Sequence, residues 1–326
     1  MPVVYLVIPC YNEEKVLPET VKRLTEKLQK MGGAGLADKG SRILLVDDGS
    51  RDATWDLISK FSRENELVGG IKLAHNRGHQ NALLAGLMTA RKHADCAVSL
   101  DADLQDDVDV LDEFVQKFVD GCDVVYGVRN KRDTDTFFKR TTALGFYKFM
   151  EKLGVNIVYN HADYRLMSRR ALDALSDYRE VNLFLRGLVP LIGFRSDSVY
   201  YDRHERFAGE SKYPLKKMLS FAVDGITSFS VKPLQIIFNL GVLTSLVSFV
   251  GVIWSLIAHC AGGSAAWIIG VWSLWLLGGI LLLCMGVVGA YVGKIYGEVK
   301  ARPRFLVEQS VNLPAEGKKD TSGQLS

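Results

Sequence analysis

Asp101, Asp103 and Gln105 follow an apolar run, residues 96–100, at alternate positions. If the chain stays extended past Leu100, alternation puts these three oxygen-bearing side chains on one face. Hard divalent cations such as Mg²⁺ take oxygen ligands, commonly one or two carboxylates together with substrate phosphates. The spacing therefore fits a metal held against a diphosphate. Helix capping is the competing account, because acidic residues are favoured at a helix N-terminus. It explains Asp106 and Asp107 but not Asp101 and Asp103, which come several residues too early. Asp47-Asp48-Gly49-Ser50 is built of turn formers, yet its carboxylates could also accept hydrogen bonds from a base or ribose. Tyr11 could stack on a base, and Glu13 could bind a ribose hydroxyl. The cations that could meet phosphate are Arg129, Lys139, Arg140, Arg206 and Lys212. Arg binds phosphate as a fork and Lys as a point charge. Gly209 lies between Arg206 and Lys212, so this segment could fold over a diphosphate; a solvated basic surface is the other reading. His75 and His79 stand four apart, but the intervening Gly78 argues against one helix presenting both to a metal. No Gly-x-Gly-x-x-Gly follows a strand and no Walker-type loop occurs, which argues against a dinucleotide oxidoreductase and a P-loop NTPase.

These residues need elements to position them. Apolar runs at residues 3–8, 42–46, 70–74, 96–100 and 123–126 predict strands. Helical patterns over 13–31, 54–65, 80–92 and 108–120 alternate with them. That order predicts an α/β fold with a mostly parallel sheet covered on both faces. In such sheets ligands bind outside the carboxyl ends of the strands. Each predicted strand here ends in polar, ligand-capable groups, a coincidence more telling than any single motif.

The chain has 326 residues, 40 Lys+Arg, 37 Asp+Glu and a net charge of +3, with 48% hydrophobic residues. These values exclude a disordered chain, a collagen and a disulfide-dense miniprotein. Its five cysteines form no Cys-x-x-Cys pair, as expected of inert, reduced thiols. The charge is unevenly spread: no Lys, Arg, Asp or Glu occurs between Lys232 and Lys294. A bilayer-spanning helix needs about 20 mostly apolar residues, so residues 233–258 and 266–293 read as two spans joined by a turn at 259–264. Lysines and arginines flank both ends of this hairpin and are absent from its turn, which predicts cytoplasmic termini. The expected organisation is a catalytic body over 1–210, an amphipathic membrane-proximal segment over 211–232, a hairpin over 233–293 and a tail over 294–326 with a disordered end. The expected location is the inner membrane, multi-pass, with body and both termini in the cytoplasm.

Several strings together resemble one family. They are Val7-Ile8-Pro9-Cys10-Tyr11-Asn12-Glu13, Asp47-Asp48-Gly49-Ser50, Asn76-Arg77-Gly78, Asp101-Ala102-Asp103-Leu104-Gln105 and Arg206…Gly209-Glu210-Ser211-Lys212. They resemble family 2 glycosyltransferases acting on polyprenyl phosphates, to which dolichyl-phosphate mannose synthases also belong. Ala162-Asp163-Tyr164-Arg165-Leu166-Met167-Ser168-Arg169, Asn182-Leu183-Phe184-Leu185-Arg186-Gly187, Gly225-Ile226-Thr227-Ser228-Phe229-Ser230 and Ala301-Arg302-Pro303-Arg304 are similar to the bactoprenol (undecaprenyl-phosphate) glucosyltransferase branch. Ala162 departs from the glycine usual in that branch. The Gln-x-x-Arg-Trp string of processive synthases is missing, which argues against a polymerising enzyme.

The resemblance implies a GT-A fold, a nucleotide-sugar donor such as UDP-glucose or UDP-N-acetylglucosamine, an undecaprenyl phosphate acceptor and Mg²⁺ or Mn²⁺. It implies that Pro9, Tyr11, Glu13, Asp48 and Asp101 bind the nucleotide, and that Asp103 and Gln105 hold the metal with Asp101 beside them. Arg129 and Arg140 would meet the acceptor phosphate, and Arg206 and Lys212 the donor diphosphate. Asp163 would be either a catalytic base or an orienting residue. The implied reaction is an inverting transfer for cell-envelope glycan modification. Its acceptor phosphate is already anionic and needs no strong base. The bilayer is a further expected partner, nucleic acid is not, and a homo-oligomer is compatible with the chain. The alternatives are a transferase acting on a polymer or protein, and a non-catalytic membrane scaffold or flippase.

Overall fold

The computed structural model describes residues 1–129, 161–181, 183–202, 232–260 and 266–314. They fall into two compact units. The first contains the described residues up to Arg129, those of 161–202, and those from Pro303 onward.

The first unit is built on an eight-stranded sheet. Its strands are β1 (Val4–Cys10), β2 (Arg42–Asp47), β3 (Val68–Leu73), β4 (Cys96–Ser99), β5 (Val124–Arg129), β6 (His161–Ser168), β7 (Ser196–Tyr201) and β8 (Val307–Val311). Their order is β7-β5-β6-β4-β1-β2-β3-β8. β1 is apolar over Val4–Ile8 and buried along its whole length, as a strand covered on both faces should be. Among the described residues six helices accompany the sheet: α1 (Leu17–Gly33), α2 (Thr54–Glu64), α3 (His79–Ala90), α4 (Leu111–Val119), α5 (Arg169–Asp177) and α6 (Leu185–Leu191). α3 seats closely because Gly86 carries no side chain; a Cβ there would lie 2.4 Å from Val7 Cγ1. Ser168 caps α5 by accepting the Ala171 N–H at 3.0 Å.

The expected α/β architecture of the GT-A kind is present, but the sheet is mixed rather than mostly parallel. β1–β2, β1–β4, β2–β3 and β5–β7 are parallel pairs. β6 enters between β4 and β5 antiparallel to both, and β8 adds antiparallel to β3. The regular strand–helix alternation that predicts parallel pairing runs only through β5. β6 and β8 come from farther along the chain, outside that alternation.

The second unit contains α7 (Lys232–Cys260) and α8 (Ala266–Val299). Among the described residues no helix is long and apolar enough to cross a membrane. This overturns the expected two-span hairpin, and with it the multi-pass inner-membrane placement that rested on it. The expectation rested on the absence of charge between Lys232 and Lys294 and on two mostly apolar stretches of spanning length. Gln235, Asn239 and Thr244 lie in α7, where Thr244 Oγ1 donates to the Gly241 carbonyl at 3.0 Å. Glycines 270, 278, 279, 286, 289, 293 and 297 recur in α8. The expected amphipathic segment lies outside the described residues apart from Lys232.

Candidate active site

The loops after β1 and β2 are stitched together. The Asn12 N–H donates to Ser50 Oγ at 3.0 Å, and Asn12 Oδ1 accepts the Arg51 N–H at 2.9 Å. The Glu13 N–H donates to Thr54 Oγ1 at 2.9 Å. Asn12 has φ +55°, a left-handed conformation that asparagine tolerates better than most residues. It turns the chain sharply after Cys10 and leaves Tyr11 exposed. Pro9 stays within β1, buried opposite Val46.

Asp47 and Asp48 are both buried at the end of β2. Asp48 holds the next loop: its Oδ1 accepts the Arg77 N–H at 2.7 Å and its Oδ2 the Gly78 N–H at 2.9 Å. Asp47 Oδ1 accepts the Ser50 N–H at 3.2 Å, whereas its buried Oδ2 has no partner among the described residues. Burial pushes both carboxyls above their ordinary range, opposed by these N–H donors. Gly49, at φ +66°, lets the two loops touch, because a Cβ there would lie 2.7 Å from Asn76 N.

The arrangement of Asp101, Asp103 and Gln105 differs from the expected extended run. β4 ends at Ser99, the chain turns, and Leu104 adopts φ +57°. Asp103 Oδ1 accepts the Gln105 N–H at 3.2 Å, a local turn contact. The three residues share a tight loop, not one strand face. Among the described residues no group of three or more His, Cys, Asp or Glu side chains could hold a metal ion. A Mg²⁺-type ion needs only one or two protein carboxylates when phosphates supply the rest, and this loop fits that smaller share. Burial raises the Asp101 carboxyl, as do the nearby Asp106, Asp163 and Asp103 charges, while His79 opposes them. That crowding of negative charge is what a bound cation would relieve.

Asp163, in β6, is the most heavily engaged carboxylate of the site. Its side chain is 7% exposed. Oδ1 accepts from Arg165 Nη2 at 2.6 Å and from Arg186 Nε at 3.2 Å. Oδ2 accepts from Arg186 Nη2 at 3.1 Å and Gln80 Nε2 at 3.3 Å. His79 Nε2 lies 3.5 Å from Asp163 Oδ2 and 3.8 Å from Asp101 Oδ1, and so links the two carboxylates. Burial alone would raise the Asp163 carboxyl, but Arg186, His79 and Arg165 outweigh it and hold it well below the usual carboxylate range. His79 is raised: burial opposes its charged form, and the hydrogen bond to Asp163 with the Asp101 and Asp163 charges outweighs burial. The Ser99 hydroxyl donates to the Asp163 backbone carbonyl, and Gln80 Oε1 accepts the Leu185 N–H at 3.0 Å, tying α3 to α6.

Arg129 ends β5 beside Tyr201 and Asp106. Its Nε donates to the Tyr201 hydroxyl at 3.3 Å, and its Nη2 lies 3.5 Å from Asp106 Oδ1. Arg140, Arg206 and Lys212 lie outside the described residues. His79, Gln80, Arg165, Arg186 and Tyr201 are engaged residues to which the sequence reading gave no role. Arg165 and Arg186 lie within the family-like strings at 162–169 and 182–187. His79 was weighed only as a metal partner of His75, although its place directly after Gly78, at the start of a helix following a strand, was the usable signal. The cysteines Cys10 and Cys96 are buried, and burial raises both thiols, so they stay protonated.

Comparisons with known proteins establish the family. The signature of glycosyl transferase family 2 matches residues 5–176. The glycosyltransferase YkoT of Bacillus subtilis (strain 168) is 53% identical over 308 residues, covering 94% of this chain and 91% of the relative. The SfII prophage-derived bactoprenol glucosyl transferase of Shigella flexneri is 35% identical over 308 residues, covering 94% and 97%. Among solved structures, glucosyl-3-phosphoglycerate synthase from Mycobacterium tuberculosis, in complex with Mn²⁺, UDP and phosphoglyceric acid, is 17% identical. That similarity covers 69% of this chain and 76% of the other, with a TM-score of 0.43. With a family match over more than half its length and near full-length relatives, the chain belongs to glycosyl transferase family 2, close to the bacterial and phage bactoprenol glucosyl transferases, and is a glycosyltransferase.

Proposed function

We propose that this enzyme moves a hexosyl group from a nucleotide sugar, UDP-glucose or UDP-N-acetylglucosamine, to undecaprenyl phosphate, with inversion and with a divalent metal. The observation that carries the reading is a row of charged groups on the loop after β4, the start of α3, β6 and α6. Asp101, His79, Asp163 and Arg186 are linked in sequence by contacts of 3.8, 3.5 and 3.1 Å. The near full-length similarity to bactoprenol glucosyl transferases supports the acceptor. In this reading Pro9, Tyr11 and Glu13 line the nucleotide site, with Asp101 beside them. Asp48 acts there indirectly, through the backbone it holds before α3. Asp103 and Gln105, with Asp101, would hold Mg²⁺ or Mn²⁺, which when bound would neutralise charge on the departing diphosphate. Arg129, and by sequence Arg140, would meet the acceptor phosphate; Arg206 and Lys212 would meet the donor diphosphate. Asp163 is an orienting residue: its oxygens are already engaged by Arg165, Arg186 and Gln80. An acceptor that is already anionic needs alignment more than proton removal.

The test is turnover by the purified chain with radiolabelled UDP-sugars, undecaprenyl phosphate, and Mg²⁺ or Mn²⁺. Label should pass into an organic-extractable, mild-acid-labile lipid. Label in a polymer or protein, or no labelled product from any UDP-sugar, would overturn the reading.

A further inference from the structure

Arg129 and Tyr201 are register partners at the ends of the parallel strands β5 and β7. The Tyr201 hydroxyl donates to Asp106 Oδ1 at 2.6 Å and accepts from Arg129 Nε at 3.3 Å. Arg129 Nη2 lies 3.5 Å from the same carboxylate oxygen. Asp106 and Tyr201 lie beneath, their exposures 6% and 2%, while the Arg129 side chain reaches outward at 25%. The Tyr201 ring is held edge-on to Tyr164, with centroids 5.3 Å apart. The Tyr164 hydroxyl donates to the Asp107 carbonyl at 2.9 Å, which fixes the same loop from below. A buried carboxylate is costly unless it is paired and hydrogen-bonded. Helix capping does not require one here: α4 begins at Leu111, five positions after Asp106.

We propose that Asp106 and Tyr201 are positioning residues for Arg129, aiming its guanidinium at the acceptor phosphate and tying that aim to the loop that carries Asp101, Asp103 and Gln105. This rests on the reading of Arg129 given under the proposed function. An arginine side chain has large rotamer freedom. Ordering it before the acceptor arrives removes part of the cost of binding. Because Asp106 directly follows Gln105, the same loop serves the donor side and sets the acceptor-side cation.

The experiment is a double-mutant cycle of Tyr201→Phe and Arg129→Ala, read as KM for undecaprenyl phosphate, KM for the UDP-sugar, and kcat. A hydrogen bond to a charged group corresponds to about a tenfold effect. Tyr201→Phe should raise the acceptor KM by about that factor and leave the donor KM unchanged. In the Arg129→Ala background the same change should add less than about twofold. Asp106→Asn, which keeps shape and removes charge, should raise acceptor KM in the same direction. If Arg129→Ala raises the acceptor KM but Tyr201→Phe does not, or the two effects multiply, positioning is wrong and the role of Arg129 stands. If Arg129→Ala leaves the acceptor KM unchanged, the reading of Arg129 fails and the inference with it. Should Arg129→Ala not fold, Arg129→Lys completes the cycle, since it keeps the charge and loses the fork.

Discussion

Asp163→Asn separates an orienting carboxylate from a catalytic base, and the structure gives the size of the effect. Arg165 is 1% exposed and donates to Asp163 at 2.6 Å, so the substitution leaves a buried guanidinium without its counter-charge. Removing one partner of a buried pair costs about 3–5 kcal/mol. Asparagine keeps one oxygen acceptor, which places the loss near the lower end, about 3 kcal/mol. Arg186 is 40% exposed and its pairing with Asp163 is solvent-screened, adding at most about 1 kcal/mol. Against a typical stability of about 5–15 kcal/mol the variant should still fold. Its Tm should fall by roughly 10 °C. The pH dependence then discriminates. The folded Asp163 carboxyl lies well below its unfolded value, so its stabilisation is present above the ordinary carboxylate range of about 4. That stabilisation is lost only as pH falls through the lower folded value. Asp163 therefore stays ionised at neutral pH and is a weak base there. The variant should lose about a hundredfold in kcat through misplacement of His79 and Arg186. Its pH–rate profile should keep its acid limb, and any limb set by His79 should move to lower pH because the Asp163 charge that raises His79 is gone. A folded Asp163→Asn enzyme whose acid limb has disappeared would refute the reasoning and make Asp163 the base.

Gly49→Ala combines a left-handed backbone with a Cβ placed 2.7 Å from Asn76 N and 2.8 Å from His75 C. It should cost about 2–4 kcal/mol; an unchanged urea midpoint would show that the two loops yield. Asp48→Ala removes the acceptor for two loop N–H groups and should weaken nucleotide-sugar binding more than acceptor binding, measured by separate KM values. Equal losses in both would count against an indirect nucleotide role. Asp103→Ala should abolish metal-dependent transfer while leaving the melting curve close to wild type. Full activity of this variant in the presence of a chelator would sink the metal assignment.

Much of the sheet is legible in the sequence because β1 to β5 announce themselves as local apolar runs. β6 does not. One of its two buried faces carries Asp163 and Arg165, two positions apart, and they satisfy each other at 2.6 Å. A rule that reads burial from apolarity passes over a strand with a salt bridge on one buried face. β8 fails for the opposite reason: Val307-Glu308-Gln309-Ser310-Val311 is an edge strand, exposed over its first four residues, and needs no apolar pattern. The stretch over 233–293 reads as two spans in the sequence, and among the described residues no helix is long and apolar enough to cross a membrane. At the site, Asp101, Asp103 and Arg129 are legible as residue types at strand ends, and Asp163 only through the resemblance. Their partners are not, because the contacts span the chain: Gln80 meets Asp163 across 83 positions and Leu185 across 105. No local pattern encodes such a pair.

The geometry also divides the carboxylates of the motifs by what they already hold. Asp48 and Asp163 are buried, and their oxygens are engaged by backbone N–H groups, guanidinium groups and an amide. Asp106 is likewise buried against Tyr201 and Arg129. In each case a buried acid holds a group nearer the surface: the 77–78 backbone before α3, Arg186 above β6, and Arg129 at the end of β5. Positive charge at such a site is useful only if its direction is fixed before the substrate arrives, because reorientation during the reaction weakens electrostatic stabilisation. A solvated arginine has many rotamers, and one held by a buried carboxylate has few. Under the proposed function the acidic motifs form two layers. Asp101 and Asp103 in the outer one would meet a cation and diphosphate, while the buried Asp48, Asp106 and Asp163 form an inner one that holds the 77–78 backbone, Arg129 and Arg186.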